Sequence, residues 1–202
     1  MSSRIAALVL AAGTSSRMRG RNKLLCEVGG VTMIERSVRA ALDSRCTSVV
    51  VVTGWQADRV EAELAVLPAS KPVTVVRNPQ YATGLASSLR FAIRMLPDSI
   101  DAALVQLADM PWISAAHIDR LIEAFDPRQP TIVVPVRDAR RGHPVLWPRR
   151  FFQPICELSG DVGARELLVQ HQAETRLVAF DTDAIFEDID TPEQLLDARD
   201  KT

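Results

Sequence analysis

The fold is decided by one stretch near the start of the chain, Leu8-Val9-Leu10-Ala11-Ala12-Gly13-Thr14-Ser15-Ser16-Arg17-Met18-Arg19-Gly20-Arg21-Asn22-Lys23. Residues 5–12 form an apolar run of the kind that a buried parallel strand shows. At Gly13 the run opens into a small polar loop that carries three arginines and ends at Lys23. The backbone N–H groups and positive charges of such a loop converge on phosphate oxygens, so the stretch predicts a polyanion site.

This loop is neither of the two common phosphate-binding motifs. The spacings GxxxxGK[ST] and GxGxxG are both absent from it. A solvated basic turn between a strand and a helix is the alternative interpretation, because charged residues are common in exposed turns. The concentration of cations beside a glycine favours phosphate binding over that alternative.

Length and composition bound the class of protein. The chain has 202 residues, of which 47% are hydrophobic and 24% are charged, and its net charge is −1. This fits one α/β domain over residues 1–202, and the near-neutral balance argues against a nucleic-acid-binding face. No run of about 18 apolar residues occurs, so no membrane span is predicted. Three widely spaced cysteines match neither a disulfide framework nor CxxC metal spacing, which predicts a reducing, cytoplasmic setting.

Strand-like apolar runs alternate with helical patterns along the chain. The predicted strands are residues 5–12, 48–53, 73–76, 102–107, 131–136 and 176–180. The predicted helices are residues 32–42, 58–67, 87–96, 114–125, 161–170 and 192–199. Such alternation implies right-handed crossovers onto a mostly parallel sheet, whose ligands bind at the carboxyl ends of the strands. Gly13, Thr53, Asn78 and Asp109 lie at or after four of these ends, so one crevice can collect them.

Carboxylates at two places could hold a metal ion. Asp109 follows the strand at 102–107. A hard cation such as Mg²⁺ prefers carboxylate oxygens, and waters and substrate phosphates complete its coordination shell. The alternative is a turn or N-cap aspartate. Asp188 and Asp190 are two residues apart, so on an extended segment they point the same way. Their alternative is a helix start, with Thr191 as the cap and Pro192 in the first turn.

Several motifs resemble, in order, those of one enzyme family. They are L-A-A-G-T-S-S-R-M at 10–18 with Lys23, N-P-Q-Y-A-T-G-L-A-S-S-L-R at 78–90, L-A-D-M-P at 107–111, R-R-G-H-P at 140–144, G-D-V-G-A-R at 160–165 and D-I-D-T-P-E at 188–193. The chain thereby resembles the MobA-like NTP transferase family, and within it the molybdenum-cofactor cytidylyltransferase (MocA-type) branch. The resemblance implies an α/β fold, a Rossmann-like (glycosyltransferase-A-like) three-layer sandwich with a mostly parallel central sheet. Arg19 and Ala108 stand where the family has glycine.

The resemblance also implies roles for individual residues. Arg17 and Lys23 neutralise the triphosphate as pyrophosphate leaves, and with Asp109 they are the catalytic candidates. Asp109 and Asp190 are the expected ligands of a catalytic Mg²⁺, with Asp188 as the alternative to Asp190. The implied nucleotide-binding residues are Leu10, Ala11, Ala12, Gly13, Thr14, Ser15, Lys23, Thr53, Asn78, Gly84, Ser87, Ser88 and Asp109. The implied acceptor-binding residues are Arg141, His143, Asp161 and Arg165.

Two of these assignments compete with purely structural ones. The loop that starts at Asn78 can be a capped loop against which Tyr81 packs, rather than a contact for the base and ribose. His143, which precedes a proline, can be a structural histidine rather than a phosphate ligand or proton donor.

The activity that the resemblance implies is a Mg²⁺-dependent transfer of CMP from CTP to the terminal phosphate of molybdopterin, with release of pyrophosphate. The A-A-G of the loop, rather than A-G-G, is that of the cytidylyl branch. Residues up to about 110 would bind the nucleotide and the remainder the acceptor. The product would pass to a xanthine-dehydrogenase-type or carbon-monoxide-dehydrogenase-type molybdoenzyme. The alternatives are guanylyl or other nucleotidyl transfer to a different small phosphate, such as a sugar phosphate, and a non-catalytic chaperone that delivers the cofactor.

Overall fold

A central sheet, built from the apolar runs of the sequence, organises the molecule. The computed structural model describes residues 3–68, 70–160 and 164–200. Its strands are β1 Ile5–Ala11, β2 Glu27–Val28, β3 Val31–Thr32, β4 Ser48–Thr53, β5 Val73–Arg77, β6 Ala102–Leu107, β7 Ile132–Arg137, β8 Arg140–Arg141, β9 Val145–Pro148 and β10 Thr175–Ala179. Seven of them lie in the order β10-β7-β9-β6-β1-β4-β5, β8 pairs with β7, and β2 and β3 form a separate antiparallel pair.

The sheet is mostly parallel, as the sequence predicts. β1 pairs in parallel with β4 and β6, β4 with β5, and β7 with β10. The exceptions are β9, which lies antiparallel between β6 and β7, and the two-residue β8, which pairs antiparallel with β7. The residues Val145–Pro148 do not predict a strand from sequence, because four residues that end in proline show no usable periodicity. This strand forms because it pairs the backbone groups of two strands that would otherwise face each other across a gap.

Helices cover both faces of the sheet. They are α1 Met33–Asp43, α2 Ala57–Ala65, α3 Leu85–Arg94, α4 Ala115–Glu123, α5 Phe152–Glu157, α6 Arg165–Gln170 and α7 Pro192–Asp200. On one face Val9 of β1 shares a core cluster with Val38 of α1 and with residues of α2 and α4. On the other face Leu8 shares a cluster with Leu89 of α3 and with residues of α5 and α6. Alternate residues of β1 thus face opposite layers, and the predicted three-layer α/β sandwich is confirmed.

Local capping sets several helix boundaries. The Ser114 hydroxyl accepts a hydrogen bond from the backbone N–H of His117 at 3.4 Å, which confirms it as the N-cap of α4. Helix α3 starts at Leu85, two residues before the predicted start, because Gly84 at φ +111° ends the preceding turn there. The predicted helix at 161–170 is helical from Arg165 onward, and residues 161–163 lie outside the described residues.

The carboxyl ends of the central strands meet at one edge of the sheet. The register pairs Ala11 with Thr53, Thr53 with Arg77, and Leu10 with Leu107. The loops that follow β1, β4, β5 and β6 therefore leave the sheet side by side. This edge gathers residues that are distant in the sequence, and it is where a ligand of a parallel sheet is expected.

Two further features of the described residues concern membrane-spanning helices and the cysteines. No helix in the described ranges combines the length and apolarity that crossing a bilayer demands. Cys26, Cys46 and Cys156 form no disulfide bond within the described part of the chain. Burial raises the pKa of the Cys46 thiol to about 11, so this thiol is protonated and unreactive at neutral pH.

Candidate active site

Asp109 is placed by the turn that ends β6. The backbone N–H of Ala108 continues the strand pairing by donating to the carbonyl of Leu10 at 3.1 Å, and the chain then turns away. The carbonyl of Asp109 accepts a hydrogen bond from the backbone N–H of Ile189 at 3.0 Å. Because Ile189 lies between Asp188 and Asp190, this single bond joins two acidic segments that are about eighty residues apart in the sequence. One carboxylate oxygen of each of the three aspartates lies within 4.8 Å of the others.

Lys23 lies between two of these carboxylates. Its Nζ is 2.6 Å from Oδ2 of Asp109 and 2.5 Å from Oδ1 of Asp190, and its side chain is 10% exposed. Nη1 of Arg17 is 2.5 Å from the other oxygen of Asp190. The two cations predicted for the phosphate loop and the two aspartates predicted for the metal thus form one ion-pair cluster.

The loop that carries these cations is held from both sides. Met18 is buried in a small core with Val28 and Met33, so it anchors the loop next to the exposed Arg17. The Ser15 hydroxyl accepts a hydrogen bond from the backbone N–H of Lys23 at 3.2 Å. These contacts hold the start and the end of the loop together, with Arg17 and Lys23 on the same side.

Arg19, which stands where the family has glycine, has a backbone conformation typical of glycine. Arg19 has a φ of +51°, the left-handed conformation that favours glycine, and the following Gly20 has a φ of +83°. The arginine therefore adopts a backbone conformation in which a glycine would be less strained. Its guanidinium lies 3.9 Å from the carboxylate of Glu193 in an exposed ion pair.

The cluster shifts the pKa values of its members. Burial lowers the pKa of the Lys23 ammonium, but the charges and hydrogen bonds of Asp109 and Asp190 outweigh burial and leave it above 10.5. Burial raises the pKa of Asp190, but the hydrogen bond and charge of Lys23, together with Arg17, bring it below 3.8. Burial and the negative charges of Asp109 and Asp190 raise the pKa of Asp188 above 3.8. Lys23 and Asp190 are thus both charged at neutral pH.

A cavity of about 590 Å³ opens beside the cluster. The predicted site residues that line it are Leu10, Ala12, Gly13, Thr14, Ser15, Arg17, Lys23, Gly84, Ser88, Asp109 and Asp190, together with Asp188. Four predicted nucleotide-binding residues are not in its wall, namely Ala11, Thr53, Asn78 and Ser87. Ala11 belongs to the core cluster on the opposite face of the sheet, because side chains alternate along β1.

Asn78 lies behind the cavity wall and is 2% exposed. Its Nδ2 donates to the hydroxyls of Ser87 at 2.9 Å and Ser88 at 3.0 Å, and its Oδ1 accepts from the backbone N–H of Gln80 at 2.9 Å. Thr53 is also buried, and its hydroxyl donates to Glu61 at 2.8 Å. Asn78 and Ser87 therefore hold the loop at 78–84 from behind the wall, which is the capped-loop arrangement. Thr53 is bound to Glu61 of α2 and does not face the cavity either.

The cavity wall contains residues that the sequence reasoning missed. They are Leu24, Tyr81, Ala82, Thr83, Leu85 and Leu107. Four of them lie between Tyr81 and Leu85, close to Gly84 in the chain, so proximity to the predicted glycine was the available signal. Gly54 explains why Tyr81 fits there, because a Cβ on Gly54 would lie 2.6 Å from the Cβ of Tyr81 and 2.8 Å from that of Ala12.

A second cavity of about 630 Å³ adjoins the first and shares Leu10, Leu85 and Leu107 with it. Three of the predicted acceptor residues, Arg141, His143 and Arg165, line this second cavity. The fourth, Asp161, lies outside the described residues. The structure thus places members of both predicted groups in the walls of two adjoining cavities.

His143 is the unusual side chain of the second cavity. Burial lowers the pKa of its imidazole despite the negative charge of Asp109, so the ring is neutral at pH 7. Its Nδ1 is buried and has no hydrogen-bond partner among the described residues. The backbone N–H of His143 donates to the carbonyl of Ile185 at 2.9 Å, which fixes the segment in place. A neutral imidazole with one unsatisfied nitrogen can donate to or accept from a ligand, depending on its tautomer.

The acidic cluster fits a hard divalent cation. Oδ1 of Asp109 is buried and has no hydrogen-bond partner within the described part of the chain. Such an orphaned carboxylate oxygen is costly unless a ligand or a cation completes it. Three carboxylates face the two cations Lys23 and Arg17, so negative charge is in excess. Oxygen ligands of this kind suit Mg²⁺, which is usually bound by one or two carboxylates together with substrate phosphates.

Residues 7–175 match the MobA-like NTP transferase domain. The chain is 25% identical over 199 residues to the molybdenum cofactor cytidylyltransferase of Escherichia coli, covering 98% of this chain and 97% of the relative. It is 28% identical over 197 residues to nicotine blue oxidoreductase of Paenarthrobacter nicotinovorans, covering 95% of this chain and 94% of the relative.

The fold of this chain is also similar to that of solved structures. It matches a nucleotidyl transferase from Methanothermobacter thermautotroptrophicus with a TM-score of 0.84 and 27% identity, covering 98% of this chain and 97% of the other. The resemblance drawn from the motifs is therefore confirmed, and the fold is that of Rossmann-like nucleotidyltransferases. With its family match over residues 7–175, this chain belongs to the MobA-like NTP transferase family of nucleotidyltransferases.

Proposed function

We propose that this nucleotidyltransferase moves CMP from CTP to the terminal phosphate of a molybdopterin-type acceptor and releases pyrophosphate, which gives molybdopterin cytosine dinucleotide. The observation that carries the proposal is the cluster in which Lys23 bridges Asp109 and Asp190 at the wall of the first cavity. A second cavity lined by Arg141 and Arg165 adjoins it, so donor and acceptor phosphates can meet between the two.

In this proposal the first cavity holds the nucleoside triphosphate. Arg17 and Lys23 supply positive charge to its phosphates, and Gly13 lets the backbone of the loop lie close to them. The acidic cluster would repel a triphosphate on its own. Asp109 and Asp190, with Asp188 beside them, would hold Mg²⁺, which when bound neutralises charge on the phosphates and on the leaving pyrophosphate.

The second cavity holds the acceptor in this proposal. The guanidinium groups of Arg141 and Arg165 suit an anionic acceptor, and His143 can hydrogen-bond to its phosphate. The acceptor phosphate is already an anion, so the attack on the α-phosphorus requires no strong general base. The chain's contribution to the rate is then positioning and charge stabilisation, as in other phosphoryl-transfer enzymes.

The choice of CTP rests on the loop and on one relative. Ala12 occupies the second position of A-A-G, lines the first cavity and is 4% exposed. The Escherichia coli relative is by name a cytidylyltransferase. A methyl group at this position narrows the wall compared with glycine, which supports the smaller pyrimidine base over a purine.

One comparison supports an oxidoreductase as the alternative class of enzyme, because nicotine blue oxidoreductase is similar over nearly the whole chain. An oxidoreductase would transfer electrons and leave the α-phosphorus of a nucleotide untouched. Release of pyrophosphate therefore separates the two classes. It also separates the proposed enzyme from a chaperone that binds and delivers a finished cofactor without chemistry.

The deciding experiment measures pyrophosphate release by the purified chain. The reaction contains α-labelled CTP, Mg²⁺ and molybdopterin, and parallel reactions replace CTP by GTP, replace the acceptor by sugar phosphates, or contain EDTA. We expect release and a labelled dinucleotide with CTP and molybdopterin, a slower reaction with GTP, and none with EDTA. Release that requires a sugar phosphate would overturn the acceptor, faster consumption of GTP would overturn CTP, and no release with any pair would overturn the proposal.

Delivery of the product to a xanthine-dehydrogenase-type or carbon-monoxide-dehydrogenase-type apoenzyme belongs to the same proposal. Its support is the resemblance to the MocA-type branch. Co-elution of the chain with such an apoenzyme, in the presence and absence of the dinucleotide, tests it. Elution as separate peaks under both conditions would contradict it.

Two glycines give a matched pair of predictions for the first cavity. We expect Gly13→Ala to weaken CTP binding by about tenfold or more, because the extra methyl group would occupy the space of the triphosphate. A tenfold weaker affinity is a loss of about 1.4 kcal/mol of binding free energy. Folding stability should change by less than about 0.5 kcal/mol, since a Cβ at Gly13 meets no protein atom within 4 Å. Gly54→Ala should instead destabilise the fold by about 1–3 kcal/mol, because its Cβ would overlap Tyr81 and Ala12.

Isothermal titration calorimetry with CTP and urea denaturation of both variants check this pair. If Gly13→Ala binds CTP as the wild type does, the triphosphate does not follow this loop. If Gly54→Ala unfolds at the wild-type urea concentration, the wall formed by Tyr81 can move aside at little cost.

A further inference from the structure

Two polar side chains are completely buried between α1 and the sheet. Ser37 on α1 and Gln106 on β6 are both 0% exposed. The Ser37 hydroxyl donates to the carbonyl of Ala108 at 3.0 Å, and Nε2 of Gln106 donates to the carbonyl of Ser37 at 3.3 Å. Oε1 of Gln106 is buried and finds no hydrogen-bond partner among the described residues. Burying polar groups in this way is unfavourable, so an apolar pair would give a more stable core.

The bonds from α1 end on the turn that carries Asp109. Ser37 holds the carbonyl of Ala108, the residue just before Asp109. Nε of Arg36 donates to the carbonyl of Pro111, two residues after it, at 3.3 Å. Ile189 holds the carbonyl of Asp109 itself. Main-chain carbonyls before, at and after the aspartate are thus each fixed by a group from outside the turn.

We propose that Ser37 and Gln106 are positioning residues that set the direction in which the Asp109 carboxylate leaves the sheet. This inference rests on the proposed function, because it takes Asp109 as a carboxylate of the reaction. Gln106 binds the backbone of α1 at Ser37, and Ser37 binds the backbone of the turn, so the two connect the body of β6, helix α1 and the turn in series. The turn then cannot rotate without breaking a buried hydrogen bond.

The direction of the carboxylate matters because its partners are close and charged. Oδ2 of Asp109 is 2.6 Å from Nζ of Lys23, and one carboxylate oxygen of Asp109 lies within 4.8 Å of one oxygen each of Asp188 and Asp190. A displacement of about 1 Å at such a site is enough to lose much of its function. Polar groups that are kept in a core at a cost in stability are typical of functional support.

The experiment compares Ser37→Ala with Ser44→Ala as the matched control. Ser44 is another buried serine at the other end of α1, and its hydroxyl donates to the carbonyl of Ala41 at 2.7 Å. The measurements are hydrogen–deuterium exchange of peptides covering residues 107–111 in the metal-free protein, Mn²⁺ affinity by electron paramagnetic resonance with CTP present, and urea denaturation. Mn²⁺ replaces Mg²⁺ because it is paramagnetic and prefers the same oxygen ligands.

We expect Ser37→Ala to accelerate exchange in the peptides covering 107–111 and to weaken Mn²⁺ binding by about three- to tenfold, the worth of one hydrogen bond. Its kcat should fall while its KM for CTP stays unchanged, because the phosphate loop is not altered. Ser44→Ala should change stability without either effect. Gln106→Met should leave the protein as stable as the wild type or more so, and should also weaken Mn²⁺ binding.

The outcomes separate this inference from the proposed function. If the wild type binds Mn²⁺ and releases pyrophosphate, but Ser37→Ala matches it in exchange and affinity, the positioning role is wrong and the function stands. If Ser44→Ala shows the same losses as Ser37→Ala, the effect is general destabilisation and the positioning role is again wrong. If Gln106→Met keeps wild-type Mn²⁺ affinity, Gln106 has no part in it. If the wild type neither binds Mn²⁺ nor releases pyrophosphate, the proposed function itself is wrong.

Discussion

Asp109→Asn is expected to reduce pyrophosphate release by about a thousandfold or more while the protein remains folded. An amide is a far poorer ligand for Mg²⁺ than a carboxylate. The loss of several kcal/mol of charge stabilisation corresponds to about three factors of ten in rate. The fold should persist because Lys23 keeps Asp190 as a partner at 2.5 Å and because the main-chain bonds of the turn do not use the carboxylate.

The measurement is the rate of pyrophosphate release under saturating CTP and Mg²⁺, with circular dichroism and urea denaturation of the same samples. Asp98→Asn is the matched control, since Asp98 is fully exposed and pairs with Arg149 at 2.5 Å on the surface. Its rate should equal that of the wild type. Activity of Asp109→Asn within a few-fold of the wild type would show that Asp109 is only a turn residue.

Lys23→Ala is expected to weaken CTP binding and turnover together, with kcat/KM lower by about a hundred- to a thousandfold. The ammonium is the buried cation of the cavity wall, and among the described residues no other lysine lines that wall. Stability should also fall by about 1–3 kcal/mol, because removal of Lys23 leaves two carboxylates facing each other. The loss is smaller than for a fully buried pair, since Asp109 and Asp190 are 20% and 32% exposed.

The same variant should separate two states of the acidic cluster. Without nucleotide, Lys23 occupies the space between Asp109 and Asp190 and competes with a divalent cation, so Lys23→Ala should bind Mn²⁺ more tightly than the wild type. With CTP present, the order should reverse, because the wild-type ammonium then belongs to the phosphates and helps to hold them. Lys71→Ala is the control, since Nζ of Lys71 donates to the carbonyls of Ser44 and Cys46, away from the cluster. Unchanged CTP affinity in Lys23→Ala would remove Lys23 from the phosphate site.

The pH dependence of this cluster follows from the directions of its pKa shifts. The pKa of Lys23 in the folded protein is raised above 10.5. The contribution of its charge to folding stability is therefore complete below pH 10.5 and is lost as the pH rises through the pKa of the folded state. The pKa of Asp190 in the folded protein is lowered below 3.8. The contribution of its charge to folding stability is therefore complete above pH 3.8 and is lost as the pH falls through the pKa of the folded state. The stabilisation by this ion pair is therefore flat across the neutral range.

Much of the fold was readable from the sequence because its signals are local. The apolar run at 5–12, the valine-rich run at 48–53 and the run at 102–107 each gave a strand within one residue of its observed bounds. Ser114 gave a helix start through its own side chain. β9 was missed because its stability comes from its two neighbours in the sheet and not from its own four residues.

The candidate site was predictable to a lesser degree. Position in the chain placed Gly13, Lys23 and Asp109 at one edge, because each follows a parallel strand or the loop after it. Position could not say which way a side chain turns there. The Asn78 side chain points inward and donates hydrogen bonds to the hydroxyls of Ser87 and Ser88. A buried amide without such partners would lose free energy of folding.

The sequence by itself determined the layered α/β architecture, the family and the kinds of residue that gather at the carboxyl edge of the sheet. These depend on hydrophobic periodicity and on motifs of contiguous residues, which are properties of short segments. Only the tertiary structure decided that Lys23 bridges Asp109 and Asp190, that Asp188 joins them, and that Ser37 holds the turn of Asp109. These contacts join segments that are tens to more than a hundred residues apart, so their geometry exists only once the sheet, its helices and the C-terminal segment have packed together.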